Sequence, residues 1–148
     1  MAFIFAGESG WAIDISVTGS WSETIDAADL QAGAGSDLTA SYESATDQVL
    51  ITISGTAGGG DAWRVDVRKV DTNWHSDLIL YVRRTGAGTG GSVSGGTDYL
   101  QVTGSDQAFF SGSDDVSGIP IQLKVSGMSI QVAPDTYTTT VYYTVVDI

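Results

Sequence analysis

The sequence predicts an all-β chain, an antiparallel β-sandwich of immunoglobulin-like or jelly-roll-like type, forming a single domain over residues 1–148. Three observations predict it. Apolar residues alternate with polar ones at a period of two in most apolar runs. Turn-forming stretches separate those runs by about 8–12 residues, as in sandwiches and barrels. Helix signals are confined to one short segment.

In "WAIDISVT", Trp11, Ile13, Ile15 and Val17 alternate with Ala12, Asp14, Ser16 and Thr18, so the four large apolar residues share one strand face. "SETIDAADLQAG" is the one helical segment: Ser22 or Thr24 reads as N-cap, acidic residues follow in the first turn, and Gly33 stops it. "QVLITIS" is apolar on both faces over part of its length and reads as a central strand. In "AWRVDVRKV", Trp63, Val65 and Val67 point inward while Arg64, Asp66 and Arg68 point outward. "DLILYVRR" sets Leu78, Leu80 and Val82 against Ile79, Tyr81 and Arg83, and "IPIQLKVSG" sets Ile119, Ile121, Leu123 and Val125 against Gln122 and Lys124. The breaks are "TAGGGD" (56–61), "GAGTGGSVSGG" (86–96) and "GSDDVSG" (112–118), whose glycines suit turns with positive φ.

The chain closes on "DTYTTTVYYTVVDI". Tyr137, Thr139, Val141, Tyr143 and Val145 share one face and Thr138, Thr140, Tyr142, Thr144 and Val146 the other, all β-branched or aromatic. This is a long strand, launched by the turn at Pro134, that needs cover on both faces. The stretch "IPIQLKVSGMSIQVAPDTYTTTVYYTVVD" resembles the end of secreted bacterial surface sandwiches of the spore-coat-protein-U and fimbrial-subunit type, in which a last strand of alternating Thr and Val follows a Pro/Ala-Gly-x-Tyr segment. Asp135 stands here where that pattern has Gly. The resemblance implies an immunoglobulin-like sandwich whose edge is completed by a strand from a neighbouring subunit. The residues it suggests for assembly are Phe3, Ile4 and Phe5 in "AFIFAG", and Tyr137, Val141 and Val145 in the last strand. "AFIFAG" could instead pair within its own sheet, which is the expectation here.

Eighteen acidic residues against six basic ones give a net charge of −12, which repels nucleic acid and anionic membrane surfaces alike. All six basic residues lie between Arg64 and Lys124, an asymmetry that could steer subunits end against middle, although acidity also simply keeps a surface protein soluble. The absence of cysteine removes disulfides, thiolate metal sites and cysteine nucleophiles. No run approaches the roughly 20 apolar residues of a membrane span. "MAFIFAGESGW" lacks a basic n-region, so it is read as a start from which a signal sequence has been removed, with an extracellular or cell-surface location.

Each candidate site competes with a plainer account. "GAGTGG" (86–91) matches G-x-G-x-x-G, but strand and loop residues follow it where a dinucleotide site needs a helix, so a hairpin loop fits better. His75, the only histidine, lies near Asp71 and Asp77 and would centre a hydrolase, yet no Gly-x-Ser-x-Gly elbow accompanies it. Among the loop carboxylates, which also include Asp26 and Asp29, the set Asp106, Asp114 and Asp115 could contribute to a calcium site, an ion that takes about six to eight oxygen ligands. Asp and Ser are also ordinary turn residues. Trp11 and Trp63 fall in register with core positions, which leaves Trp21, Trp74, Tyr81 and Tyr142 as aromatics on which a sugar ring could stack. An acid/base pair of a glycoside hydrolase cannot be picked out among 18 carboxylates. The expectation is a non-enzymatic structural or adhesive protein that associates with itself. A carbohydrate- or calcium-binding module is the alternative, and a hydrolase at His75 comes third.

Overall fold

A computed structural model describes residues 2–8 as a strand and residues 13–148 in full. Ten strands follow one another: β1 (Ala2–Glu8), β2 (Asp14–Thr18), β3 (Ser41–Glu43), β4 (Val49–Ser54), β5 (Ala62–Asn73), β6 (Ile79–Arg84), β7 (Thr89–Ser94), β8 (Leu100–Gln101), β9 (Gln107–Ser126) and β10 (Thr138–Asp147). The only helical element described is a 3-10 turn, Ala27–Asp29. The chain is therefore all-β, and every ladder is antiparallel except that of β1 with β10, which is parallel.

The strands do not separate into two independent sheets. They join in one sheet of order β1-β10-β5-β9-β4-β2, to which β3, β6, β7 and β8 are added around β9. The 20-residue β9 makes this possible. Along one edge it pairs successively with β5 (through Gln107–Ser113), β4 (Val116–Ile121) and β3 (Lys124–Ser126). Along the other it pairs with β7 (Ser111–Ser117) and then β6 (Ile121–Ser126). Its first half thus lies in a layer with β1, β10, β5 and β7, and its second half in a layer with β2, β4, β3, β6 and β8. The result is sandwich- or barrel-like, with both layers contributing to one contiguous core.

Local irregularities let one strand serve both layers. Val65 pairs with Phe110 but Asp66 with Ala108, so Phe109 is an extra residue, and both phenylalanines are buried. Further on, Asp114 has φ 59 and Gly118 φ 68 within the strand. Between Val116 and Ile119 the buried positions change from even to odd numbers, after which Ile119, Ile121, Leu123 and Val125 are all at 0% exposure. Bulges of this kind bend a strand and re-aim its side chains. Sequence reading placed a break at 112–118, because Gly-Ser-Asp-Asp reads as turn; here those residues are strand, and the turn chemistry serves the bend.

The inward residues read from the alternation at Ile13, Trp63, Val65, Val67, Leu78, Leu80 and Val82 are buried. Each such large aliphatic or aromatic side chain contributes about 1.5–3 kcal/mol. Trp11 lies outside the described residues. β4 is central in the sheet, between β2 and β9, but only one of its faces is covered: Leu50 is 40% exposed. The helical segment is a single 3-10 turn, within the two turns expected at most, but it is capped elsewhere. Asp26, not Ser22 or Thr24, is the N-cap, closing a reciprocal capping box with Asp29. The last strand is covered on its inner face, where Thr139, Val141 and Tyr143 are fully buried, and its edges are occupied by β1 and β5.

Gly112 and Gly118, both on β9, test the bend by different physics. A Cβ on Gly112 would lie 2.5 Å from the Trp63 ring and 2.3 Å from the Ser92 carbonyl oxygen, whereas at Gly118 the space is open and only the positive φ opposes a side chain. Gly112→Ala is expected to destabilise by about 1–3 kcal/mol through overpacking, and Gly118→Ala by about 1–2 kcal/mol through backbone strain. Denaturant midpoints measure both.

Candidate functional site

The inward side of β5 changes character along its length. Trp63, Val65 and Val67 are fully buried, but the next residues of the same series are Lys69 and Asp71. The β10 ladder keeps the order, with Val141 opposite Lys69 and Thr139 opposite Asp71. Charged groups on an inward face stand where the core meets water or where they are paired; here both hold. The Lys69 ammonium, whose side chain is only 12% exposed, contacts both carboxylate oxygens of Asp71 at 2.5 and 2.6 Å. Thr139 Oγ1 donates to Asp71 Oδ1 at 2.7 Å.

This ion pair forms one side of a groove of about 380 Å³ at the open end of the core. Trp74 stands beside it, its ring centroid 5.1 Å from Lys69 Nζ and its indole N–H donating to the Leu78 carbonyl at 2.8 Å. The opposite wall is Gln101 to Gly104. Backbone hydrogen bonds hold that wall in place, since Val102 N donates to the Leu80 carbonyl and Lys69 N to the Thr103 carbonyl, both at 2.8 Å. Leu78, Leu80 and Val102 make an apolar floor.

Next to the groove, the outer face of β6, β8 and β9 carries an aromatic and cationic cluster. Tyr81 lies directly opposite Lys124 on one neighbour and Gln101 on the other. The Tyr81 and Tyr99 rings meet edge to face at 6.3 Å. Lys124 Nζ lies 4.7 Å from the centre of Tyr81 and 4.1 Å from that of Tyr99, and the Arg83 guanidinium lies 4.6 Å from Tyr99. Arg83 is anchored by two hydrogen bonds to Gln122 Oε1, and buried Gln122 in turn donates to the Ser44 carbonyl. Burial, and then the nearby Glu43 carboxylate, push the Tyr99 phenol up to about 12, against the pull of Arg83.

The four aromatics expected to be exposed do not form one platform. Trp21 is a correction: it is 5% exposed and belongs to the core. The chain turns back at Gly19, which packs against the Gln48 carbonyl, and Gln48 Nε2 bonds the Ser20 carbonyl, so the following tryptophan is folded over the core. Trp74 is in the groove and Tyr81 on the outer face of β6. Tyr142 is on the outer face of β10, its ring 4.5 Å from the Arg68 guanidinium. Tyr99 and the Lys69/Asp71 pair escaped sequence reading. The available signal was the switch from Val to Lys and Asp at inward positions of β5.

The three carboxylates considered for calcium do not converge. Asp106 pairs with Arg68 at 3.5 Å, beyond one end of the β5–β9 ladder, whereas Asp114 lies beyond the other end, on the order of 20 Å away along the strand. Asp114 accepts from Gly60 N, and Asp115 accepts from Thr56 through both its backbone N and its hydroxyl, so both tie the 56–61 loop to β9. Among the described residues no group of three or more His, Cys, Asp or Glu side chains is arranged to hold a metal. His75 Nδ1 accepts the Asp77 backbone N–H at 3.2 Å and its ring meets Tyr137 edge to face at 5.8 Å. No serine or threonine hydroxyl is hydrogen-bonded to it among the described residues. Of the assembly residues, Tyr137, Val141 and Val145 face the core, and Phe3, Ile4 and Phe5 pair with Thr139, Thr140 and Val141 of the same chain.

No protein-family model matches this sequence, and no curated protein matches it either.

Two variants probe this architecture. Asp71→Ala leaves the covered Lys69 ammonium without its carboxylate and is expected to cost about 1–3 kcal/mol in chemical denaturation; the Lys69→Met/Asp71→Leu double variant is expected to regain most of it. Hydrogen bonds from the Thr56 hydroxyl and backbone hold the Asp115 carboxyl below its ordinary value of 3.8. A depressed carboxylate adds stability above its unfolded-state pKa and loses it as pH falls through the folded value. Asp115→Asn is therefore expected to flatten the acid limb of a stability curve measured from about pH 5 to pH 2.

Proposed function

We propose that this protein is a non-enzymatic, secreted or cell-surface β-domain with a structural or adhesive role, and that it self-associates by strand addition. The observation that carries this reading is the β1–β10 ladder. Among the described residues β1 forms a ladder with β10 alone, over seven successive pairs from Ala2↔Thr138 to Glu8↔Thr144. It is the one parallel pairing among the described residues, and parallel ladders are slightly less stable per residue. Without β1, the ten-residue β10 has a row of unpaired backbone groups along one edge, which templates another strand. The β1 segment of a second copy makes the same hydrogen bonds, so exchange costs little beyond association itself. The likeness of the closing stretch to fimbrial-type subunits supports the same reading.

The register supplies the test. Ala6 lies opposite Tyr142. In an Ala6→Cys/Tyr142→Cys variant, oxidation at high protein concentration is expected to produce disulfide-linked dimers and higher species on a denaturing gel, with matching masses by light scattering before oxidation. Only intramolecularly closed monomer at every concentration would overturn self-association through β1.

A further inference from the structure

We propose that the groove between the end of β5 and residues 101–104 is a binding site for a neutral polysaccharide. The proposal goes beyond self-association, and none of the groove residues belongs to β1.

The groove is about 380 Å³, within the range of about 300–1,000 Å³ in which small-molecule sites fall. It is open to solvent, so a segment or an end of a long chain can enter it. Its walls combine the apolar Trp74 ring with polar groups of both kinds, the Lys69 ammonium and the Asp71 carboxylate.

Charge selects the ligand class. In a chain of net charge −12 this groove is locally balanced, because Lys69 and Asp71 cancel each other at 2.5 Å. An anion would meet the Asp71 carboxylate and a cation the Lys69 ammonium, each against a partner already engaged. A hydroxyl is donor and acceptor at once, so a polyol satisfies both without displacing either. Hydrogen-bonding capacity remains for it: the ammonium has three N–H donors, and among the described residues Asp71 Oδ2 accepts only from Lys69. The axial C–H face of a sugar ring supplies the apolar surface that the Trp74 ring matches. The site is also preorganised, since the ion pair, the Trp74 indole and the 101–104 wall are each fixed by hydrogen bonds to strands.

The test uses the intact chain and immobilised cellulose, xylan, mannan, galactan and chitin, with alginate and dextran sulfate as anionic comparisons. Retention on at least one neutral polysaccharide is expected, unchanged at ~0.5 M salt, where surface electrostatics are screened. Trp74→Ala and the Lys69→Met/Asp71→Leu double variant are each expected to weaken it by about tenfold or more, while Tyr142→Ala on the far outer face leaves it unchanged. The double variant is expected to keep most of the parent stability, and it decides the matter should Trp74→Ala unfold. The proposal is overturned by no retention on any neutral polymer, by retention confined to the anionic polymers and abolished by salt, or by retention that the Lys69→Met/Asp71→Leu double variant leaves intact.

Discussion

Everything in this fold hangs on β9. Five strands hydrogen-bond to it directly, three along one edge and two along the other, so its path sets the positions of both layers. A regular strand could not do this, because strict alternation would carry its buried face out of the core at the point where it passes between layers. The extra residue at Phe109 and the positive-φ residues Asp114 and Gly118 reset the phase, and the carboxylates at the bend fasten the neighbouring 56–61 loop. Trp63, wedged against Gly112 and donating its indole N–H to the Asp114 carbonyl, locks the bend from inside.

A second constraint is the scarcity of positive charge. Each cation has a local partner. Arg64, Arg68 and Lys69 meet Asp66, Asp106 and Asp71. Buried Arg84 donates to the Gly95 and Gly86 carbonyls. Arg83 and Lys124 lie over tyrosine rings, where the ring quadrupole takes the place of a carboxylate. The middle-of-chain basic residues are thus occupied in holding strands and ring faces in place, and the remaining acidity covers the surface. Lys69 and Arg84 stand apart in location, since both continue inward-facing series, Lys69 at the mouth of the core and Arg84 after Leu80 and Val82.

How much was legible depended on whether a residue's role was local. Alternation in 62–67 and 119–125 named the core positions correctly, because a strand with one buried face writes its geometry at a period of two. Turn chemistry misled at 112–118, where Ser, Asp and Gly serve a bulge inside a strand, and at 22–33, where competing caps left Asp26 unnoticed. Trp21 was misjudged because nothing local distinguishes an aromatic that a turn against a distant strand folds over the core from one left in solvent. Tyr99 and the Asp106/Asp114 separation were out of reach for the same reason, since both follow from which strands lie side by side.

The sequence by itself determined an all-β chain with a long two-faced closing strand, a strongly acidic surface and the identity of most core residues. These follow from side-chain periodicity and composition, which act over a few neighbouring residues. Only the tertiary structure decided that two layers share one strand, that β10 has β1 along its edge, that the calcium candidates lie at opposite ends of a ladder, and that Lys69, Asp71, Trp74 and Gln101 meet around one groove. Those are pairings between residues far apart in the chain, and their register depends on bulges and bends whose positions composition does not specify.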